Sequence, residues 1–221
     1  MSITNVIAID GPVASGKTVV GKALAQQLGF RFVDTGIMYR AITWYVIHRK
    51  VDPIDEISVA KIATNAKLEI TPETEGRVLV NGNEATKHLK QADVEAAVSY
   101  VSRVPEVRSA LVEQQRRMAS EGRIVMVGRD IGTNVLKDAD LKIFLYASKE
   151  ERVRRRIEDA RRSNPELTAA NIKANIEQRD KIDSERTLAP LKAADDAVEF
   201  CTDGLSENQV VQAMIALVKG T

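Results

Sequence analysis

Short runs of apolar, mostly β-branched residues alternate with longer amphipathic segments along most of the chain. The first run, residues 6–9, stops at Asp10 and Gly11, which is typical of a buried parallel strand that ends in a loop. Strands are predicted over residues 6–9, 30–33, 124–127, 142–146 and 197–201, and helices over residues 17–28, 37–49 and 205–218. Strands that alternate with helices predict an α/β protein with a parallel β-sheet core flanked by helices.

Two stretches break this alternation. Residues 67–89 hold short apolar runs and an Asn81-Gly82 pair, a pattern that favours antiparallel strands joined by a tight hairpin. Residues 149–186 are densely charged, and a break at 163–165 separates two helical patterns. The sequence therefore predicts a small β-rich insert and a helical hairpin that projects from the core.

Composition narrows the class of protein. A length of 221 residues, of which 44% are hydrophobic and 29% charged, predicts one folded body. The formal net charge of +1 argues against a broadly basic nucleic-acid binder. Cys201 is the only cysteine, so it closes no intramolecular disulfide, and its place in an apolar run predicts a packed core thiol. Because the chain shows neither a basic leader nor an apolar run of about 18 residues, we expect a cytoplasmic protein that does not enter a membrane.

Residues 11–18 read GPVASGKT and match the phosphate-loop pattern G-x-x-x-x-G-K-[ST] between a predicted strand and a predicted helix. In such a loop the backbone amides surround a phosphate, Lys17 reaches the β and γ oxygens, and the hydroxyl of Thr18 binds Mg²⁺. The pattern predicts a site for a nucleoside triphosphate, and the alternative is an ordinary glycine-rich turn. The loop by itself does not distinguish kinases from ATPases and GTPases.

Two further segments place charged residues after predicted strands, at the sheet edge where open α/β sheets bind their ligands. The first runs from Asp34 through Thr35 to Arg40, and Arg40 is a candidate for binding a monophosphate. The second holds Arg129 and Asp130 between glycines. The alternatives are a capped helix start with a surface arginine for the first segment and a structural salt bridge for the second.

The charged hairpin has a pattern of its own. Arg179, Asp183 and Arg186 are spaced so that they share one face of a helix, and Arg152 and Arg156 share a side of the preceding one. ATP, a nucleoside monophosphate and Mg²⁺ together bring a charge of about −4 into a cleft, which the lysine of the loop alone does not neutralise. Several arginines are therefore needed there. A solvated network of ion pairs is the alternative for most of them.

In combination, four segments resemble the bacterial cytidylate kinases. GPVASGKT, DTGIMYR, GRDIGT and RDKIDSERTLAPL occur in that family's order and spacing, over nearly the whole chain. The resemblance implies a P-loop NTPase fold with a small β-rich NMP-binding insert and a helical lid, and transfer of the γ-phosphoryl group of ATP to CMP or dCMP with Mg²⁺. The implied division is a core over about 1–65, 104–148 and 187–221, an insert over about 66–103 and a lid over about 149–186.

The phosphate-loop pattern and the resemblance together assign roles to particular residues. The implied catalytic residues are Lys17, Arg129 and Arg186. The implied ATP-binding residues are Gly11, Ala14, Ser15, Gly16, Lys17, Thr18, Val19, Arg152 and Arg156, with Thr18 as the metal ligand. The implied CMP-binding residues are Thr35, Arg40 and Arg129 for the phosphate, Ser99, Arg108 and Asp130 for cytosine, Arg179 and Asp183 for ribose, and Arg186 for the phosphates under the closed lid.

One position departs from the family pattern. Many members carry an acidic residue directly before the Gly-Arg-Asp segment, whereas this chain has Val127. Any contact that this acid makes with metal or water is therefore absent or relocated. Asp10 and Asp34 are the candidate carboxylates for water bound to Mg²⁺.

The expected partners are the small molecules ATP, CMP and dCMP, with no nucleic acid and no membrane, and the free swing of a lid favours a monomer. The alternative within enzymes is another small P-loop kinase that acts on UMP, AMP or shikimate. The alternative outside enzymes is an ATP-binding switch associated with RNA, and a content of aromatic residues of only 4% argues against it.

Overall fold

Strands and helices alternate in the computed structural model, which describes residues 4–70, 77–163 and 168–220. The strands of this part of the chain are β1 (Val6–Asp10), β2 (Arg31–Asp34), β3 (Leu68–Ile70), β4 (Val78–Val80), β5 (Asn83–Glu84), β6 (Ile124–Val127), β7 (Leu141–Tyr146) and β8 (Val198–Cys201). The helices are α1 (Lys17–Leu28), α2 (Thr35–His48), α3 (Glu56–Thr64), α4 (Ala92–Val101), α5 (Pro105–Ala119), α6 (Lys149–Ser163), α7 (Ala169–Glu185) and α8 (Glu207–Gly220), with a 3-10 turn at Thr86–His88 and a π-helical turn at Ile131–Val135. None of the helices within the described ranges is long and apolar enough to cross a membrane.

The chain divides into a first unit, Met1–Asp34 with Met118–Thr221, and a second unit, Thr35–Arg117. The first unit holds a five-stranded sheet in the order β2-β6-β1-β7-β8, in which every neighbouring pair is parallel. All four residues of β6 are buried, as expected for an inner strand of a parallel sheet flanked by helices. The predicted α/β class is therefore confirmed.

The main core of the first unit joins the sheet to helices α1 and α8. Ile7 and Ile9 of β1 pack in one buried cluster with Leu24 of α1 and Met214 of α8. Burial of an aliphatic side chain of this size contributes roughly 1.5–3 kcal/mol. Because β1 and α1 both belong to this core, the loop of residues 11–16 between them is held at both ends.

The second unit combines helices with a three-stranded antiparallel sheet in the order β3-β4-β5. Asn81 and Gly82 join β4 to β5, and both have positive φ (50° and 76°), as a two-residue hairpin turn requires. The predicted antiparallel strands and tight turn are confirmed. Residues 71–76, between β3 and β4, lie outside the described ranges.

Helices α6 and α7 form the predicted helical hairpin in the first unit. Ile172 and Ile176 of α7 pack against apolar side chains of α6 and against Val13 of the loop after β1. Nζ of Lys149 also lies 3.2 Å from a carboxylate oxygen of Glu177, which ties the two helices together. Residues 164–167 lie outside the described part of the chain, and most of the predicted break between the two helical patterns falls on them.

The sheet order accounts for one wrong prediction. Cys201 is exposed, although its apolar run predicts a packed core thiol. Strand β8 lies at the edge of the sheet and pairs with β7 alone, so its side chains are covered less than those of inner strands. An apolar run identifies a strand but does not say where in the sheet the strand lies.

Helix α1 approaches the sheet closely at Gly21, where a Cβ atom would lie 2.6 Å from Cγ1 of Val127 and 3.1 Å from Cε2 of Phe32. We predict that Gly21→Ala lowers the free energy of unfolding by about 1–2 kcal/mol, because overpacking outweighs the gain of about 1 kcal/mol in helix propensity. Urea denaturation at neutral pH measures the change. Gly220→Ala is the matched control, since nothing lies within 4 Å of the Cβ position there. Equal or greater stability of Gly21→Ala would contradict the close approach.

Candidate active site

The loop after β1 has the backbone conformation of a tight turn into a helix. Gly11 has a φ of +147°, and a Cβ atom there would lie 1.9 Å from the carbonyl oxygen of Leu145, so a larger residue does not fit. Ala14 (φ 58°) and Gly16 (φ 93°) are also left-handed, and Gly16 directly precedes the first turn of α1. The predicted strand, loop and helix therefore follow one another as the phosphate-loop pattern requires.

The side chain of Lys17 folds back over this loop and is only 6% exposed. Its Nζ donates to the carbonyl oxygen of Pro12 at 2.5 Å and to Oγ of Ser15 at 3.1 Å. Burial, and after it the guanidinium of Arg129, holds the pKa of Lys17 well below its usual value. Because both hydrogen-bond acceptors are neutral, an anion bound at the loop would favour the charged ammonium.

Asp10, the last residue of β1, fastens the segment that follows β6. Its two carboxylate oxygens accept from the backbone N–H groups of Ile131 and Gly132, at 2.8 and 2.7 Å. Burial raises the pKa of Asp10 to about 6, with a smaller contribution from the charge of Asp130, although the two N–H bonds oppose the shift. Asp10 thus holds the π-helical turn next to the phosphate loop, and both of its oxygens are engaged with backbone.

Thr18 and Asp34 lie beside each other at the carboxyl edge of the same sheet. Oγ1 of Thr18 donates to Oδ2 of Asp34 at 2.9 Å. A hydroxyl next to a carboxylate suits Mg²⁺, which binds through a few oxygen ligands and keeps several waters. Of the two candidate carboxylates, the geometry therefore favours Asp34 over Asp10.

Two ion pairs connect the segment after β6 to the end of α7. Nε of Arg129 lies 2.8 Å from Oδ2 of Asp183, and Nη2 of Arg186 lies 3.1 Å from Oδ1 of Asp130. The segment after β6 contributes the cation of one pair and the anion of the other, and so does the end of α7. Asn134 donates to the second oxygen of Asp130 at 3.1 Å. The structure thus brings together four of the predicted site residues from distant parts of the sequence.

Two arginines of α6 contact backbone carbonyl groups of the phosphate loop. Nη1 of Arg152 donates to the carbonyl oxygen of Val13 at 3.2 Å and pairs with Asp180 at 2.8 Å. Nη1 of Arg155 lies 3.4 Å from the carbonyl oxygen of Ser15. Arg155 was not among the predicted site residues, because spacing on a helix shows which side chains share a face but not which backbone group they reach.

Four of the predicted CMP-binding residues belong to the second unit. Thr35 and Ser99 are buried, and Arg40 is half-buried. The guanidinium carbon of the buried Arg108 lies 5.9 Å from the ring centroid of Tyr39, close enough for a cation–π contact. The roles of these residues toward CMP stay predictions, as do those of Val19 and Arg156 toward ATP and of Arg179 toward ribose.

The parallel sheet, the glycine-bounded loop and the helices that flank them define the fold of the P-loop kinases. Two solved structures share it: a gluconokinase from Sinorhizobium meliloti 1021 (TM-score 0.53, 12% identity, covering 99% of this chain and 94% of that one) and a shikimate kinase from Bacteroides thetaiotaomicron (TM-score 0.51, 15% identity, covering 96% and 97%). At these identities the likeness shows the fold alone.

The chain belongs to the cytidylate kinase family, whose family model matches residues 7–220. A cytidylate kinase from Anoxybacillus flavithermus is 43% identical over 214 residues, which cover 96% of this chain and 95% of that protein. A bifunctional pantoate ligase/cytidylate kinase from Synechococcus elongatus is 46% identical over 220 residues, which cover 97% of this chain. The chain spans 42% of the length of that bifunctional relative.

The raised pKa of Asp10 makes stability depend on pH. Its value rises from 3.8 to about 6 in the folded chain, so between these values the folded state holds the proton more tightly than the unfolded state. The stability that protonated Asp10 provides is present below the lower value and is lost as pH rises through the upper one. Relative to Asp10→Asn, we predict that the wild type loses on the order of 3 kcal/mol of unfolding free energy between about pH 4 and pH 7.

Urea denaturation of both proteins across this pH range measures the difference. Asp195→Asn, which removes an exposed carboxylate elsewhere in the first unit, is the control. A constant difference between wild type and Asp10→Asn would contradict the raised pKa.

Proposed function

We propose that the chain is a cytidylate kinase that transfers the γ-phosphoryl group of ATP to CMP or dCMP and forms CDP or dCDP. Membership of the family supports the reaction. The observation that carries the proposal is that Asp10, directly before the phosphate loop, accepts from the backbone N–H groups of Ile131 and Gly132, at 2.8 and 2.7 Å, which keeps the loop beside the segment that carries Arg129 and Asp130. Positive charge from separate segments is what a reaction between two phosphate-bearing substrates needs.

In this proposal the phosphate loop binds the phosphates of ATP through its backbone amides and Lys17. Thr18 and, through water, Asp34 would hold Mg²⁺, which would neutralise phosphate charge when bound. Arg129 and Arg186 would stabilise the charge of the transferred group. Each guanidinium is oriented by a carboxylate, at 2.8 and 3.1 Å, which supports this role. Catalysis is therefore positioning and charge neutralisation.

CMP binding would use the residues that the resemblance assigns to phosphate, base and ribose. Thr35, Arg40 and Arg129 would bind the phosphate. Ser99, Arg108 and Asp130 would contact cytosine, and the carboxylate of Asp130 can accept a hydrogen bond from the N4 amino group of the base. Arg179 and Asp183 would bind ribose. The phosphate of CMP is mostly a dianion at neutral pH, so it attacks without a strong general base.

The division into core, NMP-binding insert and lid belongs to the same proposal, with the lid over about residues 149–186. So does the expectation of a cytoplasmic monomer that binds neither membrane nor nucleic acid. Size-exclusion chromatography with light scattering, run with and without RNA, tests the monomer and the RNA expectation in one experiment.

The reaction is tested by coupled ADP release with CMP, dCMP, UMP, AMP and shikimate as acceptors, each with and without RNA. We expect CMP and dCMP to be the best substrates and RNA to have no effect. Lys17→Ala should lower kcat by at least about a thousandfold, because it removes the cation of the phosphate loop while leaving the fold intact. Lys22→Ala, an exposed lysine on the same helix, should keep wild-type turnover. Normal turnover of Lys17→Ala, or a clear preference for another acceptor, would contradict the proposal.

Base recognition by Asp130 is tested by Asp130→Asn. An amide in place of the carboxylate accepts less strongly from the N4 amino group that distinguishes cytosine from uracil, so kcat/KM should fall by about tenfold or more for CMP and by less for UMP. Asp138→Asn, at an exposed position nearby in the sequence, should change neither. Equal losses for CMP and UMP would show that Asp130 acts through its ion pair with Arg186 and not through the base.

A further inference from the structure

Arg155 joins three segments of the first unit through one guanidinium group. Its Nε lies 2.8 Å from Oε1 of Glu151, one turn earlier on α6. Nη1 and Nη2 donate to the hydroxyl and the carbonyl oxygen of Thr202, both at 2.9 Å. Nη1 also lies 3.4 Å from the carbonyl oxygen of Ser15 in the phosphate loop.

Thr202, the residue after β8 that Arg155 binds, is itself held in place by hydrogen bonds. Thr202 is 1% exposed, and its backbone N–H and its hydroxyl both donate to the carbonyl oxygen of Tyr146, at 2.9 and 3.2 Å. Arg155 is therefore oriented by the end of the sheet and not only by its own helix. A long side chain fixed in this way loses little further freedom when it binds another group.

The carbonyl of Ser15 determines where the next amide points. In a planar trans peptide the C=O of one residue and the N–H of the following residue point in opposite directions. Because the carbonyl of Ser15 is turned toward Arg155, the N–H of Gly16 is turned away from α6. The same holds two peptides earlier, where Arg152 binds the carbonyl of Val13 at 3.2 Å and so turns away the N–H of Ala14.

This part of the loop needs support from outside. Ala14 has a φ of 58°, a left-handed conformation that is unfavourable for a residue with a side chain. An unfavourable backbone conformation of this kind persists where contacts with neighbouring groups stabilise it. The guanidinium groups on either side of Ala14 provide contacts of that kind.

We propose that Arg155 is a positioning residue for ATP: by holding the carbonyl of Ser15 toward α6 it presents the Gly16 amide to the phosphates. Arg152 does the same for the amide of Ala14. The proposal rests on the proposed function, in which the phosphate loop binds ATP. In this proposal Arg155 acts on ATP through the loop backbone and does not contact the substrate itself. Arg152 likewise acts through a backbone carbonyl of the loop.

Arg155→Ala should raise the KM for ATP about tenfold and leave the KM for CMP within about twofold, because one loop amide loses its orientation while the acceptor site is untouched. Calorimetric titration with inorganic tripolyphosphate, a probe that needs no catalysis, should show a loss of affinity of the same size. Thr202→Val removes the hydroxyl that Arg155 binds but keeps the carbonyl, so it should shift ATP in the same direction by a smaller factor.

Arg154→Ala is the matched control. Arg154 is the neighbouring residue on α6, also pairs with Glu151, at 2.7 Å, and is 56% exposed where the Arg155 side chain is 22% exposed. It should behave as wild type in both KM values and in tripolyphosphate binding. A general effect of removing an arginine from α6 would appear equally in both variants.

Two results would overturn the proposal: a folded Arg155→Ala protein with wild-type tripolyphosphate affinity, or a lowered melting temperature with equal rises in both KM values. If Arg155→Ala does not fold, Thr202→Val decides by the same readouts. A wild type without CMP kinase activity would refute the proposed function, and the tripolyphosphate titrations would still decide the role of Arg155.

Discussion

The cost of burying charge governs the carboxyl edge of the sheet in the first unit. A buried charge is tolerated when partners replace the water it loses, and the site meets this requirement in several ways. Asp10 accepts two backbone N–H bonds, and Arg129 and Arg186 each face a carboxylate. Lys17 differs from these groups because its hydrogen-bond acceptors are neutral oxygens, and burial lowers its pKa. An anion bound at the loop would therefore stabilise the charged form of Lys17, as the proposed binding of ATP requires.

The two opposed ion pairs give the site a second property. Arg129 and Arg186, two of the predicted substrate-binding arginines, each already have a carboxylate partner, so a phosphate would have to compete with that carboxylate for the guanidinium. A dianionic phosphate that accepts two parallel N–H bonds is suited to win this competition. Under the proposed function, the displaced carboxylate would be available to accept from a hydroxyl or an amino group of the substrate. Because Asp183 and Arg186 lie at the end of α7, such an exchange of partners would act on the end of that helix.

The sequence predicts those parts of the fold and the site that depend on local chemistry. The phosphate loop, the strands and the Asn81-Gly82 turn all follow from short-range patterns, and the structure contains each of these elements. Helix α7 ends at Glu185, so Arg186, which the spacing places on one helix face with Asp183, is the extended residue that follows the helix. Contacts between distant residues leave no such pattern. The bonds from Asp10 to the turn after β6, the edge position of Cys201 and the four contacts of Arg155 depend on the order of the strands and on which backbone carbonyls face α6. Spacing indicates a face of a helix, whereas tertiary packing determines what that face meets.

At Val127 an apolar side chain that packs against a helix stands where the family pattern often has an acidic residue. Many members of the family carry an acid there, but here the side chain is 1% exposed, and its Cγ1 would lie 2.6 Å from a Cβ atom at Gly21 of α1. The close approach of α1 to β6 makes this spot apolar and dry, so a carboxylate in the same pocket would lose its hydration without gaining a partner from the helix. Asp34 pairs with Val127 in the register of β2 and β6 and lies 2.9 Å from the hydroxyl of Thr18. A carboxylate one strand away thus lies beside the hydroxyl of Thr18, so this edge of the sheet carries an acidic group although position 127 does not.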